Sequence, residues 1–276
     1  MNRRCFVKSA LGLAGLLALG SAPSTASAAP VRKALPFRMG CAGYTFVKYD
    51  LETALQMMKR LDIRYMSLKD FHLPINADAE KIAEVLALFK KYGVSPYAVG
   101  PIYMNSEAEV KNAFAYAKRV GVKMIVAIPK YELLPLVDEL VKEYDFKVAI
   151  HIHGPDTQLF PDATDVWKHI EKLDSRIGIC YDIAHTVRTG VDLIEDYKKY
   201  SSRIYDMHIR DVTQANKSGH CIEAGRGIID FRPFFAAITE ANYTGVCSVE
   251  YEKDMSDILP GLAETVGYFN AILNYL

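Results

Sequence analysis

Short apolar runs alternate with longer segments whose apolar residues recur at helical spacing, from residue 38 to the end of the chain. The short runs predict strands at 38–42, 64–68, 94–99, 124–128, 148–153, 177–182, 204–210 and 246–250. The longer segments predict helices at 51–61, 79–92, 107–120, 133–144, 164–173, 193–200, 231–240 and 259–276. Leu51, Ala54, Leu55 and Met58 line one helical face, and Ile82, Val85, Leu86 and Phe89 line another. Glycine turns at Tyr92-Gly93, Val120-Gly121 and Thr244-Gly245 punctuate the order.

Eight β-then-α units in one chain of this length predict a single-domain α/β fold, the (β/α)8 TIM barrel. An open doubly wound sheet is the rival. No G-x-G-x-x-G follows the first strand, so a dinucleotide-binding version loses support.

Residues 1–28 depart from this pattern. Arg3-Arg4 and Lys8 precede an apolar stretch from Ala10 to Gly20, and small residues lead to Ala26-Ser27-Ala28. This is the layout of an export signal with an A-x-A cleavage site, and the paired arginines resemble a twin-arginine signal. The apolar stretch is much shorter than the ~20 residues of a membrane span. The expectation is a periplasmic or exported protein whose domain, residues 29–276, is not held in a membrane after cleavage.

Charge narrows the partners. The chain has 33 basic and 33 acidic residues, and the signal removes three basic ones, leaving 30 against 33. A near-neutral chain without a basic block lacks the footprint of a nucleic-acid binder. Cys41, Cys180, Cys221 and Cys247 form no C-x-x-C pair, and buried free thiols are expected.

The chemistry collects where four late strands end: His151 and His153, Asp182 with His185, His208 and Arg210, and Glu250 with Glu252. Side chains two apart on a strand share a face, so one inward set is His151, His153, Asp182, His208, Arg210 and Glu250. Barrel enzymes work at this end of their strands, and buried charges are costly unless paired or bound to metal. His151, Asp182, His208 and Glu250 are the candidate metal ligands. Two imidazoles and two carboxylates suit manganese first, then zinc, cobalt or iron, more than magnesium or calcium. Lys69, Asp70 and His72 close the second strand, and Lys130 follows the fourth. His185, Arg210, His72 and Lys130 are candidate substrate contacts. Glu250 and His153 are candidate bases, and Lys69 could steady an oxyanion. Tyr44, Phe46, Phe71, Tyr97, Tyr103 and Phe160 could stack on a sugar ring or pack in the core. Gly225 and Gly227 could cradle a phosphate or form a tight loop before the helix at Phe231.

The runs Cys180-Tyr-Asp182-Ile-Ala-His185, Met207-His208-Ile-Arg210-Asp211, Glu223-Ala-Gly225-Arg-Gly227-Ile-Ile-Asp230-Phe231 and Val249-Glu250-Tyr251 resemble the xylose isomerase-like barrel superfamily of sugar (phosphate) isomerases and epimerases. The resemblance runs from about Phe37 to the end. It implies Asp182, His208 and Glu250 as metal ligands, with His185 and Arg210 touching substrate or supporting those ligands. In the epimerases of this group a fifth-strand glutamate is the fourth ligand and shares proton transfer with the eighth-strand glutamate. Here His151 stands in its place, and Thr157 replaces a second, sugar-contacting glutamate.

The resemblance implies a metal-dependent isomerase or epimerase acting on a sugar or sugar derivative through an enediolate. The alternative on the same barrel is a lyase that cleaves 3-keto-glycosides by β-elimination, favoured by His151 and by the export signal. A non-catalytic sugar-binding barrel is the reading from another class. An endonuclease IV-like phosphodiesterase shares the fold but uses a richer histidine and carboxylate cage.

Overall fold

The computed structural model describes residues 34–276. The expected signal at 1–28 lies outside the described residues.

Eight parallel strands close into a barrel: β1 (Arg38–Ala42), β2 (Tyr65–Leu68), β3 (Ser95–Met104), β4 (Met124–Pro129), β5 (Lys147–His151), β6 (Ile177–Asp182), β7 (Ile204–Ile209) and β10 (Val246–Val249). β1 pairs with both β10 and β2, which closes the ring. A two-stranded antiparallel pair, β8 (Asp211–Val212) and β9 (Cys221–Ile222), sits in the loop after β7. The helices are α1 (Leu51–Arg60), α2 (Ala79–Tyr92), α3 (Glu107–Val120), α4 (Leu134–Tyr144), α5 (Ala163–Ile170), α6 (Ile183–Arg188), α7 (Leu193–Tyr200), α8 (Phe231–Glu240) and α9 (Leu259–Leu273).

Local chemistry explains where the helices begin and end. Asp50, Asp78, Ser106, Asp162, Asp192 and Asp230 each precede a helix and accept a hydrogen bond from a first-turn N–H. These side chains satisfy donors that the helix itself leaves free. Gly93 and Gly121 end α2 and α3 in the left-handed conformation. The apolar helical faces then bury against the outside of the barrel: Leu51, Ala54, Leu55 and Met58 of α1 are all buried.

A smaller apolar set, Ala98, Val126, Ala149 and Cys180, packs with Tyr97, Met124 and Tyr205. The four described cysteines are free thiols, with Cys41, Cys180 and Cys247 buried. Among the described residues, no helix is long and apolar enough to cross a membrane.

Three differences from the expected elements bear on the site. β5 ends at His151, not 153, because the chain bends away at Gly154, whose φ is +78°. β7 ends at Ile209, so Arg210 lies just beyond the ladder. The short helix α6 has no long apolar stripe to announce it; the Asp182 carboxylate starts it by accepting from the His185 N–H at 2.8 Å.

Candidate active site and metal centre

Strand register brings the late-strand residues together. Asp182 of β6 pairs with His208 of β7, and Ser248 of β10 lies on the other side of His208. His151 of β5 is opposite Cys180, two residues before Asp182. Glu250, two residues beyond Ser248, shares its face and reaches the same point. His151, Asp182, His208 and Glu250 each place one ligand atom so that all four lie within 4.8 Å of one another, and all four residues are buried.

These residues fit a metal ion. Nδ1 of His151 is buried without a hydrogen-bond partner, while Oδ2 of Asp182 and the two ring nitrogens of His208 are buried against charged neighbours, Arg210, Glu250 and Asp206. A buried ring nitrogen left without a partner, as in His151, is costly unless something fills the space beside it. Ligands about 2.1 Å from one cation lie about 3–4 Å from each other, and the four candidate atoms, all within 4.8 Å of one another, are near that spacing. Two nitrogens and two carboxylates suit a transition metal. A second grouping, His151, Cys180 and His208, shares two members and belongs to the same centre. Among the described residues there is no richer cage: His169 is stacked on Tyr131 at 4.0 Å and His220 is exposed near the β8–β9 pair.

The charges explain how the cluster stays folded. Arg210 places Nη2 2.9 Å from Asp182 Oδ2 and Nη1 2.9 Å from Glu250 Oε2, and also contacts Glu252. His208 Nδ1 lies 3.3 Å from Glu250 Oε1. Burial alone would raise Glu250, but His208 and Arg210 hold it well below the usual carboxylate range. Burial pushes Asp182 up to about 6 even with Arg210 beside it. Burial would lower His208, yet Glu250, Asp206 and Asp182 outweigh it and raise the ring to about 9. A metal ligand must give up that proton, so a bound cation would take the place of the imidazolium charge.

His153 stands above His151, with ring centroids 4.7 Å apart, and lines a cavity of about 370 Å³ together with Glu250, Lys69, His185, Arg210 and Tyr103. Burial lowers its pKa, which keeps the ring neutral near pH 7. Its Nε2 is 3.1 Å from the Tyr103 hydroxyl. His185 lies between two guanidiniums, with Nε2 2.8 Å from Arg210 and Nδ1 3.1 Å from Arg188. Lys69 Nζ donates to the Pro101 carbonyl at 2.5 Å and lies 3.4 Å from Asp70; it belongs to the same cavity.

Two expected substrate contacts are placed elsewhere. His72 is buried, its Nε2 bound to the Tyr49 carbonyl at 3.0 Å, because the turn after β2 tucks it under the loop that follows β1. Lys130 is exposed beyond β4 and does not line the cavity. Of the six aromatics, Tyr44 and Tyr103 line the cavity, while Phe46 and Phe160 are core residues. The Gly225–Gly227 segment is part of a tight loop: the N–H groups of Gly225, Gly227 and, just beyond, Ile229 all point at the buried Asp211 carboxylate, at 2.9, 3.0 and 3.1 Å. That carboxylate fills the place a phosphate would need.

Asp206 is a site residue that was not among the sequence candidates. Its Oδ2 lies 3.7 Å from His208 Nε2, and its other oxygen accepts from Tyr97 at 2.9 Å. The signal was present, since Asp206 precedes His208 by two residues and must share its face. Glu252 was named only for its alternation with Glu250 and proves to be a partner of Arg210.

The family model described as xylose isomerase-like TIM barrel matches residues 55–271. The chain belongs to the xylose isomerase-like TIM barrel family. Within it, the chain is 33% identical to the inosose dehydratase of Clostridium tetani (strain Massachusetts / E88) over 133 residues, 42% of this chain and 44% of that protein. It is 24% identical to the inosose dehydratase of Geobacillus thermodenitrificans (strain NG80-2) over 230 residues, 75% and 76% of the two chains. The chain spans less than half the length of the Clostridium tetani and Clostridium perfringens inosose dehydratases that it matches. Among solved structures, the IOLI protein with a bound zinc atom superposes with a TM-score of 0.71 at 18% identity, covering 87% of this chain and 99% of that one. The probable 3-DHS dehydratase AsbF of Bacillus anthracis gives 0.69 at 12% identity, covering 85% and 99%. At these identities the two structures show the fold.

Proposed function

We propose that this protein is a metal-dependent lyase. It removes a proton beside the ketone of a cyclic sugar derivative and expels a group from the adjacent carbon. His151, Asp182, His208 and Glu250 would hold one divalent cation. That cation supplies Lewis-acid polarisation of the ketone oxygen.

The observation that carries this reading is the chemistry at the end of β5 and just beyond it. This segment presents two imidazoles, His151 into the cluster and His153 over it, and no carboxylate. Epimerisation at one carbon needs proton transfer on both faces of that carbon, whereas elimination needs one base and a leaving group. His153 is a neutral imidazole facing the cavity, suited to take a proton. Glu250 is committed to His208 and Arg210, which makes it a weak base. Lys69 is placed in the same cavity to steady negative charge on an oxygen. His185 and Arg210 orient hydroxyls at the opposite wall. Relatives named as dehydratases support elimination over the isomerase or epimerase reading.

The substrate class is a keto-inositol (inosose) or a 3-keto-glycoside, the latter favoured if residues 1–28 act as an export signal. The test is incubation of the manganese- or zinc-loaded protein with both compounds, with a chelated control. Metal-dependent formation of an enone, with loss of water or free aglycone, is the expected result. Interconversion of epimers without loss of a group would sink the lyase reading.

A further inference from the structure

A cavity of about 700 Å³ lies beside the catalytic one, between the loop after β2 and the helix α3, and Tyr103 lines both. Its polar lining includes the amides of Asn76, Asn105 and Asn112 and, further along, Arg119, with Ile102 beneath. The three asparagines are exposed. Tyr103 is 57% exposed, a large apolar surface left open at the boundary between the two spaces. Amides to bind hydroxyls beside an open aromatic ring are the chemistry that recognises a sugar or an aryl group, and the volume falls in the range of small-molecule sites.

We propose that this cleft receives the leaving group of the substrate, a second sugar or an aryl aglycone, and that the Tyr103 hydroxyl gives its proton to the departing oxygen. The inference rests on the lyase reading and narrows the substrate from a free keto-inositol to a keto-glycoside. In the step, His153 takes the proton from the carbon next to the ketone. The bond from the β-carbon to the glycosidic oxygen breaks, its electron pair leaving with the oxygen, and a carbon–carbon double bond forms. Tyr103 protonates that oxygen, and the proton on His153 returns to Tyr103 across their 3.1 Å contact. The sum converts a keto-glycoside into an enone and an alcohol. Burial raises the Tyr103 phenol above its ordinary value, so it carries its proton at neutral pH.

The test uses the metal-loaded full chain and two variants, Tyr103→Phe and Asn112→Trp, both at exposed positions. Substrates are a 3-keto-disaccharide, a 3-keto nitrophenyl glycoside and inosose. Loss of a general acid typically costs about 100-fold or more. Tyr103→Phe is expected to lose about 100-fold on the disaccharide and under about tenfold on nitrophenol, which leaves without help. Asn112→Trp is expected to lower the ratio of kcat/KM for the disaccharide to that for inosose by about tenfold. Equal losses on all substrates overturn the proposal. If no substrate is turned over, the lyase reading fails, and the cleft is decided by calorimetry with an unoxidised disaccharide and its monosaccharide. About tenfold tighter binding of the disaccharide, removed by Asn112→Trp, supports the cleft; equal affinities overturn it.

Discussion

The Asp206 carboxylate lies 3.7 Å from Nε2 of His208, while the opposite ring nitrogen of His208 faces Glu250 at 3.3 Å. Asp206 is fully buried and further held by the Tyr97 hydroxyl, itself 2.7 Å from Ser248 Oγ. At 3.7 Å the approach of Asp206 to His208 is a charge contact rather than a hydrogen bond; a carboxylate behind a ligand histidine orients the ring and makes it a better donor, and removing such a partner costs up to about 10–100-fold in metal affinity. Asp206→Asn is therefore expected to weaken metal binding by about that factor while the circular dichroism of the fold is retained. Unaltered affinity by competitive chelator titration would assign Asp206 a purely structural part.

Gly154 allows the chain to pass close to His185. A Cβ there would lie 2.5 Å from His185 Nδ1, and the φ of +78° disfavours any side chain. Gly154→Ala should displace the ring that Arg210 and Arg188 hold. Misplacement of a positioned group by about 1 Å can cost around 100-fold. Steady-state kinetics should show kcat/KM down by about 10–100-fold with metal content unchanged; normal kinetics would remove His185 from the catalytic arrangement.

Asp211 organises the loop that follows β7. It accepts from the N–H groups of Val212, Gly225, Gly227 and Ile229 and is completely buried. Asp211→Ala leaves those donors without their partner, a loss of about 3 kcal/mol or more. Thermal unfolding should move down by roughly 6–12 °C for a domain of this size. A shift under about 2 °C would show that water replaces the carboxylate with little cost.

Glu223 links two loops at the barrel mouth, accepting from Tyr251 at 2.8 Å and from Lys253 at 2.8 and 3.0 Å. Burial would raise its pKa, but Lys253 and Tyr251 outweigh burial and bring it to about 2, below the ordinary 4.5. The folded value is the lower one, so the contribution is complete above pH 4.5 and is lost as pH falls towards 2. Unfolding by urea at pH 7 and pH 3 should show a smaller acid loss for Glu223→Gln than for the parent protein. Equal acid losses would contradict this role.

The fold was legible because each unit states itself twice, as an apolar run and as an amphipathic face with a capping residue. Asp78 and Gly93 bracket α2, and Ser106 and Gly121 bracket α3, so both helices begin and end where the pattern places them. The convergence of His151, Asp182, His208 and Glu250 was legible because period-two alternation fixes which side chains face inward, and parallel register then sets Asp182 beside His208. His72 and Lys130 misled because they follow strand ends, where loop conformation rather than alternation decides direction. α6 and the β8–β9 pair are too short to carry a periodic signal. The second cavity could not be seen either, since it depends on how the loop after β2 lies against α3.

The most direct measurement is the metal content of the protein purified without added metal, taken beside that of His208→Ala. About one equivalent of a transition metal is expected in the parent protein and almost none in the variant. A parent protein that binds no divalent cation even when one is supplied, or a variant that keeps its full complement, would contradict the assignment of His151, Asp182, His208 and Glu250 as one metal centre.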